Sequence, residues 1–301
     1  MSKHQSLIEG VKVGDVKSLS RSISLVENSS EGWMDIMKGL GGNQDVPVIG
    51  FTGPPGAGKS TLINEWIKQV TNQGKKVGIV CIDPTSPFNY GSLLADRIRM
   101  VDHFTEEKVF IRSLATRGSL GGLSAKTLEV TDIMKAFGFD QIIIETVGVG
   151  QSEVEIAGLA DTTVLVLVPE AGDEIQAIKS GIMEIGDVFV VNKADRAGAD
   201  NFVKNLRNVL MPKPGSDKHP SIVKTSAAKG EGIEELVSAV EEHQQVSKND
   251  KKEHLLVEKA FHLIREQRMA DVSREDLREK IKEAQGRGDL NLYLFIEQLT
   301  N

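Results

Sequence analysis

Gly53-Pro54-Pro55-Gly56-Ala57-Gly58-Lys59-Ser60-Thr61 orders the rest of the chain around itself. It has the spacing G-x-x-x-x-G-K-[S/T], in which glycines let backbone N–H groups turn inward around phosphate oxygens. An apolar β-branched run, Val46–Phe51, precedes it, and Ser60–Thr71 follows with helical apolar spacing. A strand feeding a Gly-rich loop that opens a helix adds the positive end of the helix dipole to the phosphate site. Residues Gly53 to Thr61 are therefore the expected nucleotide cradle. Lys59 is expected at the β- and γ-phosphates, with the Ser60 hydroxyl on Mg²⁺.

Outward from this loop the chain alternates. Apolar runs recur at Val77–Ile82, Val109–Leu114, Gln141–Thr146, Thr162–Val168, Asp187–Val191 and Ser221–Thr225. Helical spacing recurs at Ala125–Phe137, Asn201–Leu210 and Ile233–Glu242. Near-continuous apolar strands between helices predict an α/β fold, a mainly parallel sheet covered on both faces in the manner of a P-loop NTPase (G domain). Helical extensions are expected at both ends. Upstream, Leu7, Ile8, Val11, Val16, Leu19, Ile23 and Val26 suit an amphipathic helix over 7–27, and Asn28-Ser29-Ser30 should interrupt it. Gly39, Gly41 and Gly42 predict a loop before the first strand.

Downstream, a polar linker (Val246–Lys252) leads to a helical stripe of Val257, Phe261 and Ile264. Ser273 with Asp276 predicts the cap of a further helix carrying Leu277 and Ile281. Gly286 and Gly288 are expected to break the chain before Leu290–Leu299. The expected organisation is a helical extension (1–42), a nucleotide domain (43–245) and a C-terminal helical arm (246–301). The arm is too small for its own core, so its apolar faces should pack on the main domain or, preferably, on another subunit.

Asp187-Val-Phe-Val-Val191 runs straight into Asn192-Lys193-Ala194-Asp195. The C-terminal end of a strand is where an α/β sheet offers its ligand crevice. A carboxylate at Asp195 can accept from guanine N1–H and N2–H₂, whereas adenine has no donor at either position. Discrimination against ATP should follow, because a charged group left without its partners is costly. Asn192 is expected to tie this loop to the phosphate loop, and the Lys193 stem to stack on the purine. Thr225-Ser226-Ala227-Ala228 follows another strand and could present a backbone N–H to guanine O6.

Ile142-Ile-Ile-Glu145-Thr-Val-Gly148 ends an apolar strand in an acid with glycine three residues later, the Walker B and switch II arrangement. Glu145 can hold a magnesium water, and the Gly148 N–H can bond the γ-phosphate and release on hydrolysis. Asp83, at the end of the Val77–Ile82 run, and Asp96 are two further acids for the outer shell of the same Mg²⁺.

Bulk properties narrow the field. A formal charge of −7 over 301 residues argues against nucleic acid or an anionic membrane as the main partner. The single cysteine, Cys81, excludes an internal disulfide framework and a Cys-based metal cluster, and the six histidines include no pair at ligand spacing. No apolar run approaches the roughly 20 residues that span a bilayer. The opening MSKHQSLIEG lacks a signal-peptide core, so a cytoplasmic protein is expected.

Taken together these residues resemble one family, the MeaB/ArgK GTPases, G-protein chaperones of adenosylcobalamin-dependent acyl-CoA mutases. The resemblance runs over essentially the whole chain. Besides the phosphate loop and Asn192–Asp195, it rests on Asp83-Pro-Thr-Ser-Pro87, Asp96-Arg-Ile-Arg-Met100, Thr116-Arg-Gly-Ser-Leu-Gly-Gly122, Glu145-Thr-Val-Gly-Val-Gly-Gln-Ser-Glu153 and Pro169-Glu-Ala-Gly-Asp-Glu-Ile-Gln176. It implies a GTP-hydrolysing protein with Mg²⁺ coordinated or ringed by Ser60, Asp83, Asp96 and Glu145. It implies a third responsive segment near Val168–Ser180 that includes Lys179, a catalytic candidate beside Lys59 and Glu145. It implies a homodimer through the C-terminal helices. The implied partner is methylmalonyl-CoA mutase or a close relative, whose cofactor loading the GTPase gates and which it protects.

The chain departs from the family pattern at Asn89-Tyr90-Gly91 and Ala95, where Gly-Gly and Gly are usual. Gln151 lies three residues beyond Gly148 and is not assigned to orient water, so slow intrinsic hydrolysis, accelerated by the partner, is expected. Two competing classes share the phosphate loop: a nickel-insertion metallochaperone GTPase, and a P-loop protein kinase of a transport system. The former would need Cys or His ligands, and the latter an acceptor pocket that the sequence does not display.

Overall fold

The computed structural model describes residues 3–40, 45–83, 103, 106–115, 126–146, 156–169, 182–210, 219–246 and most of 257–300. The chain divides into two compact units, Met1–Lys252 and Glu253–Asn301.

The first unit is built on seven strands: β1 (Val48–Thr52), β2 (Val77–Asp83), β3 (Val109–Ala115), β4 (Gln141–Glu145), β5 (Thr162–Leu167), β6 (Val188–Val191) and β7 (Ser221–Lys224). All pair in parallel, in the order β3-β2-β4-β1-β5-β6-β7. Every residue of β1, β4, β5 and β6 is buried, which is why these strands read as unbroken apolar runs: helices cover both faces. Successive side chains alternate between the two cores. Ile49, Phe51 and Ile143 face α4 (Lys59–Asn72), which contributes Leu62, Ile63, Trp66 and Ile67. Val48, Ile142 and Ile144 join the opposite cluster with α5 (Thr127–Phe137).

That opposite cluster also takes in the N-terminal helices α1 (Lys3–Lys12), α2 (Val16–Glu27) and α3 (Trp33–Leu40), through Ile8, Val11, Leu19, Ile23, Val26 and Ile36. The apolar spacing over 7–27 thus serves two helices in place of one. The chain turns at Gly14, with φ +84°, and Asp15 caps α2 by accepting from the Lys17 and Ser18 N–H groups. The spacing ran on across the break because both helices bury into one core. Gly39 is likewise inside α3 and not in a loop. A Cβ there would lie 2.5 Å from Ile8 Cδ1, so the glycine is a packing contact between α1 and α3. Gly41 and Gly42 lie outside the described residues.

The sheet's other end is covered by α6 (Ala199–Val209), through Phe202, Val203 and Leu206, and by α7 (Ile233–Val246), through Leu236 and Val240. Near the end of α7, His243 Nδ1 pairs with Thr162 Oγ1 at 2.9 Å, while its Nε2 lies 3.4 Å from Asp187.

In the second unit Ser273 caps α8 (Arg274–Arg287) by accepting from Asp276 N at 3.2 Å, and Gly288 closes it with φ +75°. Gly286 continues the helix and does not break it. A last helix, α9 (Leu292–Thr300), follows, with Leu292, Tyr293, Leu294 and Ile296 exposed. Among the described residues no helix is long and apolar enough to cross a membrane.

Candidate functional site

Parallel pairing brings the C-terminal ends of β1, β4, β6 and β7 to one edge of the sheet, and four loops leave from there. The first is Gly53–Gly58, between β1 and α4. Gly53 has φ +136°, and a Cβ there would meet the Val166 carbonyl oxygen at 2.2 Å. At Gly58, with φ +89°, a Cβ would lie 2.5 Å from Asn192 Nδ2. Only glycine lets the loop pass this close to β5 and to the loop after β6. Gly53→Ala is accordingly expected to destabilise the fold by roughly 1–3 kcal/mol of backbone strain, read as a lowered thermal midpoint, with weaker nucleotide binding. An unchanged midpoint would show that the loop can move aside.

Lys59 is buried and folds back over its own loop, its Nζ donating to Gly53 O at 2.7 Å and Pro54 O at 3.2 Å. Ser60 Oγ donates to Glu145 Oε1 at 2.6 Å. The sheet sets that contact across 85 residues of sequence. Phe51 stands opposite Glu145 in the β1–β4 register, and Glu145 opposite Cys81 in β2–β4. Cys81 Sγ lies 4.0 Å from Glu145 Oε2. Ser60 and Glu145 thus offer hard oxygen donors at the mouth of the phosphate loop, a donor set that suits Mg²⁺.

Asp83 ends β2, next to the strand that carries Glu145, but its side chain is outside the described residues. Asp96, Gly148 and Lys179 also lie outside them. Among the described residues no three His, Cys, Asp or Glu side chains gather as a metal cluster.

On the other side Asn192, buried, holds three loops together. Its Nδ2 donates to Ala57 O at 2.8 Å, and its Oδ1 accepts from Thr225 Oγ1 and from Ala227 N, each at 3.1 Å. Lys193 takes φ +56° and reaches across to Gly56 O at 2.8 Å. Pro55, Gly56, Thr61 and Ala228 are exposed around the same loops.

Asp195 accepts from Ser226 Oγ at 3.1 Å through Oδ1, and Lys229 Nζ stands 3.3 Å from Oδ2. The Lys229 ammonium, with the Ser226 hydroxyl second, holds the Asp195 carboxyl below the usual carboxylate range. The structure therefore gathers Gly53–Thr61, Glu145, Asn192–Asp195 and Ser226–Ala228 at one edge. Lys229 and Cys81 join them without having been marked by any motif. Lys229 carried one signal in its place directly after the Ser226-Ala-Ala228 run, but nothing local ties it to Asp195.

The family profile described as "Methylmalonyl Co-A mutase-associated GTPase MeaB" matches residues 19–285. A Pyrococcus abyssi protein carrying a provisional GTPase name is 49% identical over 248 residues, covering 79% of this chain and 75% of that one. The GTPase ArgK of Escherichia coli is 34% identical over 246 residues, covering 77% and 73%. The mouse protein named "Methylmalonic aciduria type A homolog, mitochondrial" is 39% identical over 212 residues, which span 67% of this chain and only 51% of the relative. Among solved structures, that of "LAO/AO transport system kinase" matches with a TM-score of 0.66 at 23% identity, covering 99% and 97% of the two chains; it shows the shared fold.

Proposed function

The chain belongs to the family of methylmalonyl-CoA mutase-associated GTPases (MeaB), and from that membership we propose that it is the Mg²⁺-dependent GTPase chaperone of an adenosylcobalamin-dependent acyl-CoA mutase, gating cofactor loading and protecting the mutase. One observation carries the nucleotide part of the reading. The Asn192 side chain joins the phosphate loop to the Asn192–Asp195 loop, so Lys59 and Asp195 belong to one crevice.

In that crevice the Lys59 amine would exchange the Gly53 and Pro54 carbonyls for the β- and γ-phosphates. Phosphoryl transfer asks little more of a protein than positioning and charge neutralisation. Magnesium, held by Ser60 and Glu145 with Asp83 and Asp96 in its outer shell, would supply the remaining neutralisation. Glu145, already bonded to Ser60, would release that hydroxyl to the metal. Gly148 would report the γ-phosphate, and the segment containing Lys179 would carry the state of the nucleotide to the mutase. The exposed apolar side chains of residues 257–300 would pair in a homodimer, and the cytoplasm would be the working compartment.

GTP hydrolysis measured with and without a purified candidate mutase, with ATP as control, tests the reading. The expected result is hydrolysis that the mutase accelerates and that ATP does not share. Label from γ-labelled GTP should appear as free phosphate. Label transferred to protein would overturn hydrolysis in favour of a kinase, and hydrolysis indifferent to the mutase would remove the chaperone role.

A further inference from the structure

Two side chains of one short loop hold the Asp195 carboxylate: Ser226 at Oδ1 and Lys229 at Oδ2. An ionised carboxylate offers about four lone-pair sites. In the guanine reading above, on which this inference rests, N1–H and N2–H₂ of the base fill two of them. The Ser226 hydroxyl takes a third and the Lys229 ammonium the fourth. We propose that Lys229 is a positioning residue for guanine selection, fixing the rotation of the Asp195 carboxylate so that its two remaining lone pairs serve the base edge.

The backbone at both ends of this pair is anchored. Ser226 and Glu231 exchange N–H···O bonds of 3.0 and 3.2 Å, closing the loop that carries Lys229. Lys229 N bonds Ser226 O at 2.9 Å, and Gly230 N bonds Ala227 O at 3.2 Å. The loop is also pressed against its strand: a Cβ at Gly232 would lie 2.1 Å from Lys224 O. On the other side Ala194 N bonds Thr225 O at 2.9 Å, and Arg196 N bonds Lys193 O at 3.0 Å. The ion pair therefore orders only two side chains, not two loops. The other charged groups on these loops are Lys193, whose amine is on Gly56 O, together with Arg196 and Glu231. From α4, packed on the Lys229 loop, Glu65 faces Gly230 and is paired with Lys68.

The direction of the Asp195 shift agrees with this role. Guanine needs the ionised carboxylate, and Lys229 is the largest cause keeping it ionised at lower pH. Without that ammonium the carboxyl would protonate at a higher pH, and GDP binding would begin to fail earlier on acidification.

The experiment compares Lys229→Met and Lys229→Arg with the parent chain, measuring GDP and IDP affinity from neutral pH downward, with thermal unfolding alongside. IDP lacks the 2-amino group, so the GDP-to-IDP ratio reads the Asp195 contact directly. Lys229→Met is expected to weaken GDP by roughly three- to five-fold, the scale of a partly exposed ion pair. It should narrow the preference for GDP over IDP and move the acid limb of GDP binding upward, and Lys229→Arg should restore all three.

GDP affinity in Lys229→Met equal to or above that of the parent would overturn the inference. Equal weakening of GDP and IDP with the acid limb unmoved would do so too, because loop damage alone gives that pattern. A parent chain that binds no GDP would overturn the guanine reading and this inference with it.

Discussion

Lys59→Ala is expected to lower saturated GTP turnover by roughly 10²–10³-fold, the scale for removing one preorganised charge donor from a transition state. The Lys59 amine is buried and donates to two carbonyls of its own loop. In the proposed function that amine exchanges these carbonyls for the terminal phosphates. Charge builds on those phosphate oxygens as the γ-phosphoryl leaves, so the loss should fall more on kcat than on KM. The Gly53 carbonyl, buried, and the Pro54 carbonyl, partly buried, lose a donor in the variant, and the space left by the lysine side chain admits water to replace it. Thermal unfolding should thus move little. Turnover within a factor of a few of the parent would refute a role for this lysine in the chemistry.

Asp195→Asn is expected to weaken GDP binding by about 10²–10³-fold and to create affinity for xanthine nucleotides. The carboxylate can accept from both N1–H and N2–H₂ of guanine. An amide in its place sets an NH₂ group against the base's own amino group, donor against donor. Xanthine carries a carbonyl at that position and accepts from the same NH₂. The half-open surroundings of Asp195 moderate the loss below what a fully enclosed polar site would impose. Competition binding with GDP, XDP and ADP decides the matter. Unchanged GDP affinity together with no gain of XDP would exclude Asp195 from base recognition.

The parts of this protein that could be read from residue order are those determined by neighbouring residues. The phosphate loop declares itself because its turn needs glycines at fixed offsets. The central strands do so because a strand buried on both faces must be apolar throughout. Where the reading failed, a distant element made the choice. The interruption at Gly14 was masked because α1 and α2 feed one core, so the apolar spacing continues through it. Gly39 looked like a loop glycine, yet Ile8 of another helix requires it. Ser60 and Glu145 could be suspected of sharing a metal, but only the β1–β4 register brings them to 2.6 Å. Lys229 was missed for the same reason: its partner is set by how two loops meet after β6 and β7. Asp96, Gly148 and Lys179 lie outside the described residues; the first two were read from the residues themselves and Lys179 from the family resemblance alone.

The three-way hold of Asn192 also bears on how fast nucleotide comes and goes. With the phosphate loop, the Asn192–Asp195 loop and the loop after β7 already joined by one buried amide, much of their ordering entropy is lost during folding and little remains to be lost on association. Capture of nucleotide should then be a single encounter without a slow rearrangement of these loops, and added GDP should stabilise the fold by simple mass action. Release is the harder direction. A protein that hastened exchange by unpicking Asn192 would loosen all three loops at once.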